Sequence, residues 1–211
     1  LERISSGAGG EPADGPSEGA AISSDGRYVV FASTARNLIP GENGQNLPRT
    51  WDVYRRDRLS GTTVRASVSL SGGKGDAHSF APALSADGHL VAFASLATNL
   101  ITSDLNGKTD IFLRDLQAAT TVRVSIGPGG LEPTGESVRP ALSADGRFVA
   151  FESSAGNLVT APAPEGSTWS YVRDLVTGTT TRVVAASAEP LPDGGTVSPA
   201  LSADGHWIVF S

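Results

Sequence analysis

Hydrophobic residues in this chain are concentrated in four short runs that recur at nearly constant spacing. Each run follows the phrase Ser-x-Asp-Gly-(Arg/His), and the aspartates of successive phrases are 62, 58 and 59 positions apart. The runs do not alternate with polar residues, which is typical of strands buried on both faces. The Asp-Gly before each run predicts a tight turn, because both turn positions tolerate positive φ. The runs are residues 28–31, 90–93, 148–151 and 207–210.

Three further strand signals accompany each of the first three runs in a fixed order. A short strand precedes the Asp-Gly turn, an alternating strand follows the run, and a Thr-rich strand ending in arginine closes the unit. A charged last strand suits an outer edge that must not pair with other molecules. Buried inner strands and a polar outer strand in a four-stranded meander are typical of a propeller blade. A solenoid is the competing architecture, but its repeats are usually shorter, about 20–45 residues.

The sequence therefore predicts an all-β fold, a β-propeller of four-stranded antiparallel blades of about 59 residues each. Residues 1–211 are expected to form a single array of three complete blades with partial blades at both ends. Either a longer protein supplies the missing blades, or copies of the chain complete one another. The expected segments are the last strand of a preceding blade at 1–6, blades at 17–69, 79–126 and 137–187, and the first two strands of a further blade at 196–211.

Composition excludes several classes of function. Cysteine is absent, which excludes disulfides, thiolate metal sites and cysteine nucleophiles. A net charge of −6 argues against a nucleic-acid partner, which needs a clustered basic face. No apolar stretch is long enough to span a membrane. The lack of cysteine also fits an extracytoplasmic bacterial setting, whether secreted, cell-surface or periplasmic.

The repeated phrase also resembles a known family. Pro-x-Leu-Ser-x-Asp-Gly-Arg-x-Val-x-Phe, followed by an Arg-Asp-Leu-x-x-Gly hairpin, is similar to the TolB-type, WD-like β-propeller repeat of bacteria. The similarity extends over essentially the whole chain and implies the propeller fold. The family includes protein-binding, structural and peptidase-associated propellers, so the resemblance implies no single activity.

The lengths of the loops predict which end of the array is functional. Turns between the first two and between the last two strands of a unit are tight, and we call their end the turn face. The other connections are long and emerge together at the opposite end, the loop face, where binding residues of a rigid scaffold collect. The long connections are 34–50, 96–109 and 154–168 within units and 69–79, 126–137 and 186–196 between units.

Polar residues that recur in every unit are interpreted as structural, and residues that break the repeat as candidates for function. Asn37 and its counterparts should bond to loop backbone, and Asp57 and its counterparts should cap their hairpins. The aspartate of each Asp-Gly phrase should hold its own turn.

Four residues of the loop face are predicted binding candidates: Trp51, His78, Glu136 and Trp169. The tryptophans stand near the start of the third strand, where an exposed indole would stack on a sugar or anchor a partner. Packing between blades is the alternative for both. His78 has no second histidine at a zinc-ligand spacing.

One loop predicts a metal site. Asp104, Asn106 and Asp110 have oxygen side chains at spacings 1, 3 and 7 in a Gly-containing loop, as in part of a calcium-binding loop. Lys108 at position 5 would repel a cation. An Asx-rich loop stabilised by its own backbone is the alternative interpretation. Calcium bound there would be structural, and no other cofactor is expected.

These patterns favour a non-catalytic protein-interaction or surface-structural module that binds a protein or copies of itself through the loop face. No phosphate-binding Gly-x-x-x-x-Gly-Lys loop occurs. One alternative is a hydrolase, or its propeller accessory domain, acting on glycans or peptides with carboxylates from Asp76, Asp104, Glu136 or Asp193. The other is a carbohydrate-binding lectin that uses the two tryptophans.

Overall fold

The described part of the chain forms three four-stranded antiparallel sheets and one two-stranded sheet. The computed structural model describes residues 2–42, 49–161, 167–184 and 197–211. Within each four-stranded sheet every strand pairs with the next in sequence. Within the described ranges, the one helical element is the 3-10 turn Pro128–Gly130, and none of their helices has the length and apolar character to cross a membrane.

The strands fall where the hydrophobic pattern predicts them. We call β1–β4 blade one, β5–β8 blade two and β9–β12 blade three. In chain order the strands are β1 (Ser17–Ile22), β2 (Tyr28–Ser33), β3 (Asp52–Asp57), β4 (Thr62–Arg65), β5 (Ser79–Leu84), β6 (Leu90–Ser95), β7 (Asp110–Asp115), β8 (Thr120–Arg123), β9 (Ser137–Leu142), β10 (Phe148–Ser153), β11 (Trp169–Asp174), β12 (Thr179–Arg182), β13 (Ala200–Leu201) and β14 (Ile208–Val209).

The hydrophobic core lies between the blades. All six residues of β2 are buried, as the continuous apolar run predicts. Val30 and Val53 of blade one pack in one cluster with Phe93 and Phe112 of blade two. The second and third strands of blades two and three share another cluster. Each blade therefore depends on its neighbour for burial.

The first strands β1, β5 and β9 lie beside one another and carry the same irregularity. Their pairing with the second strand shifts register at a residue of positive φ. This residue is Gly19 in blade one, Ala81 in blade two and Arg139 in blade three. A bulge of this kind bends the strand and increases its twist.

The Asp-Gly turns link successive units through backbone hydrogen bonds. Ser24 N donates to Ala86 O at 2.9 Å, and Ala86 N donates to Ala144 O at 2.9 Å. Within the first turn, Asp25 Oδ1 accepts from the Ser23 hydroxyl and from the Arg27 amide, which confirms its structural role. A side chain at Gly88 would place Cβ 2.3 Å from the Tyr28 ring of the preceding blade, so the close approach requires glycine.

The opening segment has the conformation of an inter-blade loop. Residues 2–6 lie outside the named strands, and Ser6 forms an isolated bridge with Pro12. Val68 and Lys74 form the same bridge between blades one and two. The predicted strand at 1–6 is thus not among the described strands, and β13 and β14 lie within the predicted last segment. The blade boundaries themselves remain predictions.

Candidate binding site on the loop face

Recurrent polar residues hold the loop face in place. Asn37 and its counterparts accept a backbone hydrogen bond from the preceding inter-blade loop, which confirms the structural interpretation. The three bonds are Asp14 N to Asn37 Oδ1 at 3.1 Å, Asp76 N to Asn99 Oδ1 at 3.2 Å and Thr134 N to Asn157 Oδ1 at 3.0 Å. Asp57 caps its hairpin by accepting from the amides of Leu59 and Ser60.

His78 and Glu136 occupy equivalent positions and make equivalent contacts. His78 Nδ1 accepts a hydrogen bond from Trp51 N at 3.0 Å. Glu136 Oε2 accepts one from Thr109 N at 2.5 Å. Each side chain ties the start of one blade to the third strand of the blade before it. Both predicted binding residues therefore have a structural contact, although both are exposed on the loop face.

The two tryptophans are not equivalent, which corrects the sequence interpretation. Trp169 pairs with Ser153, just as Asp52 pairs with Ser33, so Trp169 corresponds to Asp52 and not to Trp51. Trp169 is 8% exposed and belongs to the core. The guanidinium of Arg182 lies 5.0 Å from the centroid of its ring. Trp169 therefore packs between blades, whereas Trp51 is half-buried at the loop face.

The predicted calcium loop converges on a guanidinium. Arg123 Nη2 lies 2.8 Å from Asp104 Oδ1, and Arg123 Nε lies 3.4 Å from Asp110 Oδ2. Asn106 presents its amide nitrogen, not its oxygen, to Asp110 Oδ2 at 2.9 Å. The described ranges contain no group of three His, Cys, Asp or Glu arranged for a metal ion. Calcium binding stays a prediction, and the cation that these carboxylates share here is Arg123.

Glu132 completes this blade-two cluster, which consists of Asp104, Asp110, Arg123 and Glu132. Its Oε1 lies 2.9 Å from Arg123 Nη1. Burial raises the pKa of the Asp110 carboxyl to about 6, against the opposing effects of Ser125 and Arg123. Burial also raises the pKa of Asp104. Three acids thus surround one arginine, and burial shifts Asp104 and Asp110 toward their protonated forms.

Blade one contains a related cluster, which consists of Glu42, Asp52, Arg65 and Lys74. Arg65 binds the Glu42 carboxylate with both terminal nitrogens, and its Nε lies 3.9 Å from Asp52 Oδ1. Lys74 Nζ lies 3.1 Å from Asp52 Oδ2. Burial raises the pKa of Asp52, although Arg65 and Lys74 oppose it.

The two clusters correspond position by position. Asp52 and Asp110 begin the third strands, and Arg65 and Arg123 end the fourth strands. Glu42 and Asp104 each follow a residue of positive φ, Gly41 or Ser103. The hydrogen bond from Ser69 N to Gly73 O in one loop matches that from Gly127 N to Leu131 O in the next. Lys74 and Glu132, which directly follow the two acceptors, therefore occupy equivalent positions. Blade one therefore has a cation where blade two has an acid.

Sequence reasoning missed these clusters. The arginine that ends each fourth strand was interpreted as a solvent-facing edge charge, but the Arg65 side chain is 7% exposed and that of Arg123 4%. The available signal was the aspartate that begins the third strand in blades one and two. A charged residue at the start of a mostly apolar strand needs a partner.

Two exposed leucines are sequence neighbours of acids in the blade-two cluster. Leu105 is 83% exposed, and its amide donates to Glu132 Oε1 at 2.9 Å. Leu131, next to Glu132 in sequence, is 58% exposed. We call Leu105 and Leu131 the leucine pair. Leu105 follows Asp104 in sequence and Leu131 precedes Glu132, and Arg123 forms an ion pair with each of these two acids.

The carboxylates suggested for hydrolysis have separate partners. Asp76 accepts from the Thr98 amide and hydroxyl at 2.8 and 2.7 Å. Glu136 binds Thr109, and Asp104 binds Arg123. Asp193 lies outside the described residues. The described carboxylates of this set are therefore engaged in loop structure.

Comparison with solved structures identifies the same fold in larger proteins. TolB from Acinetobacter baumannii matches with a TM-score of 0.55 and 21% identity over 93% of this chain and 37% of its own. A prolyl endopeptidase matches with a TM-score of 0.52 and 15% identity over 90% of this chain and 24% of its own. Dipeptidyl peptidase 4 from Porphyromonas gingivalis matches with a TM-score of 0.50 and 15% identity over 90% and 28%.

At these identities the likeness concerns the fold. No family model and no curated protein matches the chain. The chain spans less than half the length of each of the three structures. The four-stranded meanders, the repeated turn phrase and the match over nearly the whole chain agree with one another. The chain has a TolB-like β-propeller fold.

Proposed function

We propose that this chain is a non-catalytic protein-interaction module that binds its partner through the loop face, in an extracytoplasmic bacterial compartment. The observation that carries the proposal is the leucine pair, two exposed apolar side chains held by a buried ionic cluster.

The leucine pair has the physical properties of a docking anchor. Large exposed apolar side chains gain free energy when a partner removes them from water, by about 25 cal/mol per Å² of apolar area. Binding also loses less conformational entropy when the contact surface is already ordered. The Leu105 amide bond to Glu132 and the Asp104–Arg123 ion pair hold this loop before any partner arrives.

Site-specific photo-crosslinking tests the proposal. A benzophenone amino acid replaces Leu105 in one variant and Leu59 in another, and both are expressed in the envelope of a bacterial host. Leu59 is 81% exposed, much like Leu105 at 83%, but lies in the β3–β4 turn on the turn face. A discrete adduct is expected from position 105 and none from position 59.

A second pair of variants separates docking from misfolding. In chains without the crosslinker, Leu105→Asp and Leu131→Asp should abolish co-purification of the partner that the crosslink identifies, while the thermal unfolding midpoint stays unchanged because exposed positions tolerate polar residues. Leu59→Asp should leave capture intact. Equal adducts from both faces, or none from either, would contradict the proposal.

A further inference from the structure

Blade one has a pocket beside its ionic cluster, away from the leucine pair of blade two. Its volume is about 320 Å³, enough for a group of side-chain size. We call it the blade-one pocket. The residues that line it include Ala35, Arg36, Glu42, Tyr54, Arg65 and Lys74.

The lining has an excess of positive charge. Arg36, Arg65 and Lys74 contribute three cations, against one carboxylate from Glu42. Behind the lining, Asp52, whose side chain is 1% exposed, lies 3.1 Å from Lys74 Nζ, and the carboxylate of Asp14 interacts with Arg36. Among the residues that line the pocket itself, cationic side chains therefore outnumber carboxylates.

The fold does not require this excess. Blade two builds the corresponding loop with the same hydrogen bonds, for example Thr98 N to Asp76 Oδ1 where blade one has Arg36 N to Asp14 Oδ1. Where blade one has Arg36, Tyr54 and Lys74, blade two has Thr98, Phe112 and Glu132. Residues that break a repeat without a structural need point to function.

Glu42 behaves as an internal substitute for a ligand. Its carboxylate binds Arg65, as Asp104 binds Arg123, but its side chain is 41% exposed and that of Asp104 3%. Buried Arg65 needs an anionic partner, because an unpaired buried charge is strongly unfavourable. An external carboxylate could replace that of Glu42 and leave Arg65 paired throughout.

We propose that the blade-one pocket binds a carboxylate-bearing ligand, whose carboxylate takes the place of Glu42 on Arg65. A guanidinium fork matches a carboxylate through two parallel hydrogen bonds. Lys74 and Arg36 add positive charge around the bound group. The largely buried Tyr54 and Ala35 form the apolar part of the pocket lining.

Binding is tested by NMR titration of the 211-residue chain, with the arginine Nε–H signals as the readout. Glutarate represents a small dicarboxylate, a short peptide with a central glutamate represents an acidic protein segment, and inorganic phosphate serves as the anion control. We expect saturable shifts of the Arg65 signal with a carboxylate probe and none with phosphate. Preference between glutarate and the peptide identifies the source of the ligand.

Variants taken from blade two keep the test specific. Arg36→Thr and Lys74→Glu import residues that blade two accommodates, and each should weaken carboxylate binding by about tenfold or more. Arg58→Thr removes an exposed arginine on the turn face and should have no effect. Glu42→Gln removes the internal competitor and should strengthen binding about threefold or more. Thermal unfolding of each variant verifies that the chain remains folded.

Three outcomes would overturn the proposal. The first is equal binding of phosphate and carboxylate, which would indicate a general anion site. The second is an unchanged or weakened affinity in Glu42→Gln. The third is the absence of any saturable shift at Arg65. None of these outcomes affects the crosslinking at Leu105, so the experiments test the pocket and the proposed docking surface independently.

Discussion

Blades one and two place an arginine, a strand aspartate and a loop acid at the same three positions, yet their clusters differ in balance. In blade two, Arg123 alone faces Asp104, Asp110 and Glu132. In blade one, Lys74 joins Arg65, and the loop acid Glu42 is exposed at a pocket. The same backbone thus carries an acid-rich cluster in blade two and, in blade one, a cluster of two acids and two cations that borders a pocket. The shared part is structural, and the difference is where function is expected.

The largest expected effect comes from removing the arginines. Arg123→Ala would leave two fully buried carboxylates without their cation and should lower the free energy of unfolding by about 3–5 kcal/mol. Arg65→Ala should lower it by less, about 1–3 kcal/mol, because Lys74 still faces Asp52. Urea denaturation monitored by tryptophan fluorescence measures both. Equal losses would show that the blades do not differ in this respect.

The next effect is a pH dependence that arises from Asp110 of blade two. The pKa of Asp110 is about 6 in the folded chain, against 3.8 as its ordinary value. Between these values the folded protein binds a proton that the unfolded chain does not, so wild-type stability falls as pH rises through this window. Asp110→Asn removes the titration, and the stability of the wild type relative to this variant should fall by about 1–3 kcal/mol from pH 4 to pH 7.

Unfolding of the two proteins is measured in parallel across this pH range. Asp174→Asn is the matched control, because the pKa of Asp174 lies below its ordinary range through its bond with Arg147. The contribution of Asp174 to the free energy of unfolding is fully present above pH 3.8, the ordinary pKa of an aspartate, and is lost only as the pH falls below that value. A pH-independent difference between wild type and Asp110→Asn would contradict the assignment.

The smallest effect sharpens the contrast between the loop acids. Glu42→Gln should lower the free energy of unfolding by about 1 kcal/mol or less, because Glu42 is partly exposed and Arg65 keeps Asp52 as an anionic neighbour at 3.9 Å. Asp104→Asn, at the corresponding buried position, should lower it by about 1–2 kcal/mol. Thermal melts of the two variants in the same buffer suffice. The reverse order would remove the reason to regard Glu42 as displaceable.

Much of the fold was predictable from the sequence because its signals are local. The Asp-Gly phrases and apolar runs predict turns and buried strands, and β2, β6 and β10 lie at those runs. The capping aspartates and Asn37 were also interpreted correctly, since each bonds within a recurring loop. The alignment of Trp169 with Trp51 was wrong by one position, because only the pairing of Trp169 with Ser153 sets the register.

The candidate site was harder to predict because its residues meet across long separations. The calcium interpretation brought Asp104 and Asp110 together correctly, but it did not include Arg123, which arrives from the end of β8. Likewise, no local sequence pattern indicates that Lys74 and Glu132 occupy equivalent positions in successive inter-blade loops. Their equivalence emerges from matching backbone hydrogen bonds in two loops of different sequence.

By itself, the sequence determined the repeat, the order of strands and turns in each unit, and the division into a turn face and a loop face. These follow from the period of hydrophobic positions and from turn residues, both of which act over a few neighbours. Tertiary structure alone decided which charges meet, how deeply each is buried, and that Glu42 borders a pocket. Burial and ion pairing depend on neighbours distant in sequence, such as Arg65 and Glu42, 23 positions apart.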